Sequence, residues 1–228
     1  MDRSRKPPLS LEHRVIVPAA RAAWPPLLVL LHGLGSDEED LLALAPGLDP
    51  RLLVVSARAP HRRGPGGFAW YHVDGSRDPP RTDPAEVRQS HDLVIDLVAR
   101  VTAGHGADPD RVFLLGFSQG AVVALAVALA RPDLVRGVVA HSGRLWPEAL
   151  ADASSPALER LEVLLLHGER DEVIPVARGR EARDALTRFL GPRLTYREWP
   201  ELGHAISEES FSEARRWLAP RLAEPPSP

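Results

Sequence analysis

The chain has 228 residues, of which 44% are hydrophobic and none is cysteine, and its formal net charge at pH 7 is -3. This length and apolar content suit one α/β domain, and the lack of cysteine excludes a disulfide framework, a thiolate metal site and a cysteine nucleophile. The small net charge and the scattered arginines argue against a nucleic-acid partner, and the apolar runs are too short for integral membrane association. We therefore expect a single cytoplasmic domain over residues 1–223, followed by a disordered tail over residues 224–228.

Short apolar runs alternate with helical patterns along the chain. The run at 10–17 alternates between polar and apolar residues, which favours an antiparallel edge strand. Continuous apolar runs, typical of strands buried on both faces, lie at 27–31, 52–56, 112–115, 135–140 and 161–166, and a last strand is predicted at 193–199. Helical patterns lie at 37–45, 84–103, 119–130, 177–190 and 207–219. This alternation predicts a mostly parallel, doubly wound sheet with helices on both faces.

Two segments lie outside this alternation. Residues 61–84 are rich in Gly and Pro yet carry Phe68, Trp70 and Tyr71. This composition predicts a long surface excursion whose aromatic side chains pack against another part of the protein. Residues 143–159 are too few to form an inserted domain, so we expect no separate lid domain over the sheet.

The pentapeptide at 116–120, Gly-Phe-Ser-Gln-Gly, stands between a buried strand and a helix of small apolar residues. A nucleophile at the end of a parallel strand must stand clear of its own backbone, so the chain turns sharply there with the serine in a strained conformation. Gly116 and Gly120 remove the Cβ atoms that would collide in such a turn. The pentapeptide also occurs by chance in Gly-rich sequences, but its position here predicts that Ser118 is a nucleophile.

A serine nucleophile needs a histidine base and a carboxylate that orients the histidine. Asp171 follows the run at 161–166, at the sheet edge where open α/β sheets collect their site residues. Glu169 and Glu172 are rivals in the same loop, and a helix cap is the alternative role for Asp171. After Asp171 the sequence contains one histidine, His204, which we predict to be the base.

The amides that would stabilise an oxyanion can also be predicted. One donor is the N–H of Gln119, directly after the serine, and the other should come from the loop that follows the strand at 27–31. The glycines of that loop would let Leu34 present its N–H to the substrate. The alternative is a simple strand-to-helix connection capped by Ser36 or Asp37.

The other histidines are less suited to catalysis. His91 falls in a helical pattern, and His32 and His167 each precede a glycine at a strand end, where shaping a turn is the favoured role. No pair of histidines has the spacing of metal ligands, so the sequence predicts no metal.

Four motifs together resemble the carboxylesterase/phospholipase family of α/β hydrolases, which includes the acyl-protein thioesterases. They are "LLVLLHGLGSDEEDLLAL", "RVFLLGFSQGAVVALAVAL", "LLLHGERDEVIPV" and "LGHAIS", and they span most of the chain. The resemblance implies an α/β-hydrolase fold, a catalytic triad of Ser118, Asp171 and His204, and an oxyanion hole formed by the amides of Leu34 and Gln119.

The resemblance also implies an esterase that uses no cofactor and acts on a small-molecule carboxylic ester. The aromatic segment "AWYHVD" is similar to one that lies near the acyl pocket in the family, which makes Trp70 a substrate-binding candidate, although His72 stands at the family's Asp position. Val173 occupies a position that lines the acyl groove in the family. Trp146 is also a candidate near the groove, with ordinary packing as the favoured alternative.

The nature of the substrate and the assembly are left open. A thioesterase or lysophospholipase would use the same triad, and a hydrolase-like binding protein without activity is the alternative from another class. The sequence does not decide between a monomer and a homodimer.

Overall fold

A central sheet of seven strands organises the computed structural model, which describes residues 10–19, 23–74, 81–150 and 155–223. In chain order the strands of the described residues are β1 (His13–Ile16), β2 (Leu27–Leu31), β3 (Leu53–Ala57), β4 (His61–Arg63), β5 (Gly67–Ala69), β6 (Val73–Asp74), β7 (Arg81–Thr82), β8 (Val112–Phe117), β9 (Gly137–His141), β10 (Glu162–Gly168) and β11 (Leu194–Trp199). The central sheet has the order β1-β3-β2-β8-β9-β10-β11. β1 pairs antiparallel with β3, and the remaining neighbours are parallel, which confirms the predicted antiparallel edge.

Helices cover both faces of this sheet, as predicted. The α-helices are α1 (Pro84–His105), α2 (Gln119–Ala130), α3 (Val176–Leu190) and α4 (Glu208–Leu222). One apolar core lies between the sheet and α1, α2 and α3, and a second core lies under α4 on the opposite face. Successive residues of β2 alternate between the two cores, so all five are buried. This burial on both faces explains why the run has no polar alternation.

The prediction of an α-helix at 37–45 is wrong. The chain forms a 3-10 helix at Leu41–Gly47 instead, in which the amide of Ala43 donates to the carbonyl of Asp40. A turn precedes it, in which the amide of Asp40 donates to the carbonyl of Asp37. The cap residue of the 3-10 helix makes no side-chain hydrogen bond, and Pro46 inside it supplies no N–H. Because proline cannot donate the i→i−4 hydrogen bond that would continue an α-helix, the chain forms a short segment with i→i−3 bonds instead.

The excursion at 61–84 contains two small antiparallel hairpins, β4 with β5 and β6 with β7. Trp70 and Tyr71, between the hairpins, are buried in the core under α1 and α2, which confirms that the aromatic residues pack. In the segment after β9, the described residues form 3-10 turns at Pro147–Leu150 and Ser155–Arg160. No helix among the described residues is long and apolar enough to cross a membrane. The tail predicted at 224–228 lies outside the described residues, and the single-domain boundary at 223 stays a prediction.

Candidate active site

Ser118 occupies the sharp turn between β8 and α2, near the centre of the sheet. Its backbone has φ 55° and ψ −117°, a strained conformation for a residue with a Cβ atom. A Cβ added to Gly120 would lie 1.9 Å from the carbonyl oxygen of Leu31, and one added to Gly116 would lie 2.4 Å from the carbonyl oxygen of Gly120. The two glycines therefore permit the close contact of α2 with β2 and β8 that the turn requires.

Three side chains from distant parts of the chain meet at this turn. The Nε2 atom of His204 lies 3.0 Å from the Oγ of Ser118, and its Nδ1 lies 2.7 Å from the Oδ2 of Asp171. Asp171 follows β10, and His204 lies between β11 and α4, so both reach the carboxyl ends of the parallel strands where β8 also ends. Since Nδ1 faces a carboxylate, we assign the ring proton to Nδ1, which leaves a lone pair on Nε2 toward the hydroxyl.

The carboxylate of Asp171 is held in place by its own loop. Its Oδ1 accepts hydrogen bonds from the amides of Val173 and Ile174, at 3.0 and 2.8 Å, and its side chain is buried. Glu169 and Glu172 are exposed, and the ring nitrogens of His204 pair with Asp171 and Ser118 instead. The helix-cap alternative for Asp171 is wrong, because α3 begins at Val176 and its N-cap is Pro175.

The ring of His204 is also oriented by packing. It lies against Phe117, with ring centroids 4.9 Å apart and an interplanar angle of 40°. Phe117 directly precedes the serine, so the same turn positions the hydroxyl and supports the imidazole. The ring of His141 also lies near Phe117, with ring centroids 5.9 Å apart.

Leu34 and Gln119 line the groove beside the serine. Among the described residues, the backbone N–H of neither one donates a hydrogen bond, so both are available to an oxygen of a ligand. Gly35, at φ +82°, turns the chain after Leu34, and its own amide donates to the carbonyl of Phe68 at 2.8 Å. The alternative of a capped turn also has support, because Asp37 accepts a hydrogen bond from the amide two residues later. The oxyanion role of the two amides stays a prediction.

The side chain of Gln119 has a role that the sequence did not suggest. Its Oε1 accepts from the amide of Trp70 at 3.0 Å, and its Nε2 donates to the carbonyl of Tyr71 at 2.8 Å. The indole N–H of Trp70 donates to the carbonyl of His32 at 2.9 Å, and Ser90 donates its hydroxyl to the carbonyl of Trp70. The two bonds of Gln119 connect the excursion to the residue that follows the nucleophile, and the other two connect it to the end of β2 and to α1.

The position of Trp70 corrects its assignment as a substrate-binding residue. Its side chain is 0% exposed and does not line the groove, whereas its neighbour Tyr71 does. Trp70 therefore supports the wall of the groove from behind. Trp146 is largely buried but also lines the groove, so it both packs in the core and forms part of the groove wall.

The groove that contains Ser118 and His204 has a volume of about 1130 Å³. Its apolar lining includes Leu34, Tyr71, Val73, Trp146, Leu150 and Val173. Val173 is 67% exposed at the rim of the groove, and its contact with substrate stays a prediction. Arg144 also lines the groove, with its guanidinium near Tyr71. Burial raises the pKa of Tyr71 to about 12 despite the nearby guanidinium of Arg144, so the phenol stays neutral.

Two further histidines lie behind the triad. Burial lowers the pKa of His141 to about 3, and the neighbouring imidazoles of His167 and His204 act in the same direction, while Asp171 opposes them. His141 is held by the hydroxyls of Ser142 and Ser210, at 3.0 and 2.9 Å. His141 is therefore uncharged at neutral pH and adds no positive charge beside the triad. Within the described residues, no group of candidate metal ligands includes a residue of the groove.

Comparison with known proteins places the chain among hydrolases. A family model described as Phospholipase/Carboxylesterase matches residues 11–221. Esterase YpfH of Escherichia coli (strain K12) is 33% identical over 195 residues, which are 82% of this chain and 79% of that protein. Acyl-protein thioesterase 1 of Gibberella zeae is 31% identical over 120 residues, 51% of either chain. Among solved structures, the esterase PE8 is 29% identical with a TM-score of 0.81, covering 93% of this chain and 99% of the other.

Proposed function

The chain belongs to the phospholipase/carboxylesterase family of α/β hydrolases, and from this premise we propose that it hydrolyses small to medium acyl esters with Ser118 as nucleophile. The observation that carries the proposal is the hydrogen-bond chain from Asp171 through His204 to Ser118, which opens into the groove. A neutral serine hydroxyl is a weak nucleophile, and this arrangement gives it a base at hydrogen-bonding distance.

In the acylation step, the Oγ of Ser118 attacks the carbonyl carbon while the Nε2 of His204 takes the hydroxyl proton. The carbonyl oxygen becomes an oxyanion, which the amides of Leu34 and Gln119 would bind; each such donor is worth about 3–4 kcal/mol in the transition state. The tetrahedral intermediate then collapses. The proton on Nε2 passes to the leaving alcohol oxygen, the C–O bond breaks, and the acyl group remains on Ser118.

Deacylation repeats these steps with water. His204 takes a proton from the water as its oxygen attacks the acyl carbon, and the proton then returns to the Oγ of Ser118 as the carboxylic acid leaves. Asp171 holds the ring proton on Nδ1, and its carboxylate stabilises the imidazolium that forms in each half of the cycle.

The groove suggests what the acyl part of the substrate looks like. Its apolar lining favours a hydrocarbon acyl group, and Leu34 and Val173 stand at its exposed rim. The alternative is a thioesterase or lysophospholipase, since the triad treats a sulfur or glycerol leaving group in the same way. One relative carries the name acyl-protein thioesterase, and the experiment therefore includes acyl thioesters.

The experiment is active-site labelling with a fluorophosphonate probe, followed by kinetics on p-nitrophenyl esters of increasing chain length. We expect the wild type to be labelled and to turn over the esters, and Ser118→Ala to do neither. Ser36→Ala is the matched control, because Ser36 lines the same groove without contacting His204, and it should keep labelling and turnover. An unlabelled, inactive wild type would favour the binding-protein alternative, and a higher kcat/KM on acyl thioesters would favour the thioesterase.

A further inference from the structure

A second cluster of reactive side chains lies on the excursion, outside the groove. One nitrogen each of His61 and His72 and one carboxylate oxygen of Glu86 lie within 4.8 Å of one another. The three residues come from separate segments: β4, the stretch between β5 and β6, and the first turn of α1. None of them lines the groove that contains Ser118.

The chemistry of the cluster suits a transition-metal ion. Two imidazole nitrogens with one carboxylate oxygen are ligands that Zn²⁺ prefers, whereas Mg²⁺ and Ca²⁺ prefer all-oxygen sites. On a tetrahedral zinc with bonds of about 2.1 Å, ligand atoms lie about 3.4 Å apart, so small side-chain rotations would bring the three atoms into place. The side chain of His72 is 55% exposed, which leaves an entry path and room for a water as fourth ligand.

Two observations indicate that the cluster is prepared for a cation. The Nε2 atom of His61 is buried and has no hydrogen-bond partner, which costs free energy unless a ligand satisfies it. Glu86 accepts hydrogen bonds from the backbone amide of His72 at 2.7 Å and from its Nδ1 at 2.9 Å.

We propose that His61, His72 and Glu86 bind a zinc-like divalent ion that joins the excursion to α1. The ligand residues flank Trp70 and Tyr71, which support and form one wall of the groove. An ion at this site would cross-link the segment that carries this wall to the helix behind it. The site is structural, because no ligand reaches the groove, and it is independent of the ester hydrolysis proposed above.

The sequence predicts no metal because no pair of its histidines has the spacing of metal ligands. Here the ligands are separated by 11 and 14 residues across an irregular segment. Only the two hairpins and the start of α1 bring them together.

The test is calorimetric titration of ZnCl₂ into full-length protein that has been stripped with EDTA. We expect one saturable site in the wild type and a rise of Tm with zinc, because an ion that binds the native state stabilises it. His72→Asn and Glu86→Gln should weaken zinc binding at least tenfold and abolish the rise of Tm. Mg²⁺ at the same concentration should leave Tm unchanged. His72 is exposed, so its variant should fold, and the Tm in EDTA checks this.

Two control variants separate this site from other histidines. His91→Asn alters a histidine of α1 that pairs with the adjacent Asp92, and His204→Asn removes the imidazole of the triad. Both should bind zinc as the wild type does. The proposal is overturned if the wild type shows no saturable site, if His72→Asn and Glu86→Gln bind zinc with wild-type affinity, or if binding is lost only in His204→Asn.

Discussion

Replacing Asp171 by asparagine should lower kcat by about 10⁴-fold while leaving the fold intact. The Oδ1 of Asp171 accepts two backbone N–H groups, from Val173 and Ile174, so the oxygen of an asparagine must take that position. The amide nitrogen then occupies the place of Oδ2, 2.7 Å from the Nδ1 of His204. An NH₂ group donates, so Nδ1 must accept, and the ring proton moves to Nε2.

With the proton on Nε2, His204 would donate toward the Oγ of Ser118 and could not take its proton. In a serine protease with the same three groups, this exchange lowers kcat about 10⁴-fold, which corresponds to about 5.4 kcal/mol of transition-state stabilisation. The side chains have nearly the same shape, and both backbone bonds to Oδ1 are preserved. We therefore expect little change in Tm.

The assay is steady-state hydrolysis of a p-nitrophenyl ester, with Tm and circular dichroism as folding checks. Glu172→Gln and Glu169→Gln are matched controls, because they neutralise exposed carboxylates of the same loop, and both should keep activity near that of the wild type. A kcat for Asp171→Asn within tenfold of the wild type would refute the reasoning on the tautomer. A large loss in either control would move the orienting role to that glutamate.

Three further predictions concern stability. In the native protein His141 stays neutral down to its pKa of about 3, whereas in the unfolded chain its imidazole has the ordinary pKa of 6.5. The free energy of unfolding should therefore fall as the pH drops below 6.5, and His141 should account for about 2 kcal/mol of the loss at pH 5. Urea unfolding at pH 7 and pH 5 should show a smaller difference in His141→Gln; equal differences would contradict it. Gly120→Ala should prevent folding or lower Tm sharply, because its Cβ would lie 1.9 Å from a backbone oxygen of β2. Gly104→Ala has open space around its Cβ and should leave Tm unchanged or raise it. Similar Tm values for the two variants would contradict this prediction. Gln119→Ala should lower the free energy of unfolding by about 2 kcal/mol, since it breaks two bonds to the excursion, and exposed Gln89→Ala should change it little.

Much of this fold could be predicted because burial on both faces leaves a clear sequence pattern. The run at 27–31 is strand β2 without change, and the helical pattern at 119–130 is α2 without change. The meeting of the three triad residues also follows from topology, since parallel strands in one sheet bring their carboxyl ends to one edge.

The features that sequence missed depend on contacts between distant residues. The segment at 37–45 has the acidic start and apolar spacing of a helix, but Pro46 and the local turns produce a 3-10 helix. Trp70 appeared to be a substrate contact because its neighbours resemble a segment near the acyl pocket. Its side chain is buried in the core, and its backbone amide donates to the side chain of Gln119, 49 residues away, which no local pattern could indicate.

The central claim is that an acyl group is transferred to the hydroxyl of Ser118. The most direct measurement is rapid acid quench of the enzyme during turnover of a p-nitrophenyl ester, followed by intact-mass and peptide mass spectrometry. The account predicts a protein heavier by one acyl group, with the added mass on the peptide that contains Ser118, and no such species in Ser118→Ala. An acyl group on a different residue, or a Ser118→Ala variant that hydrolyses the ester at the wild-type rate, would contradict it.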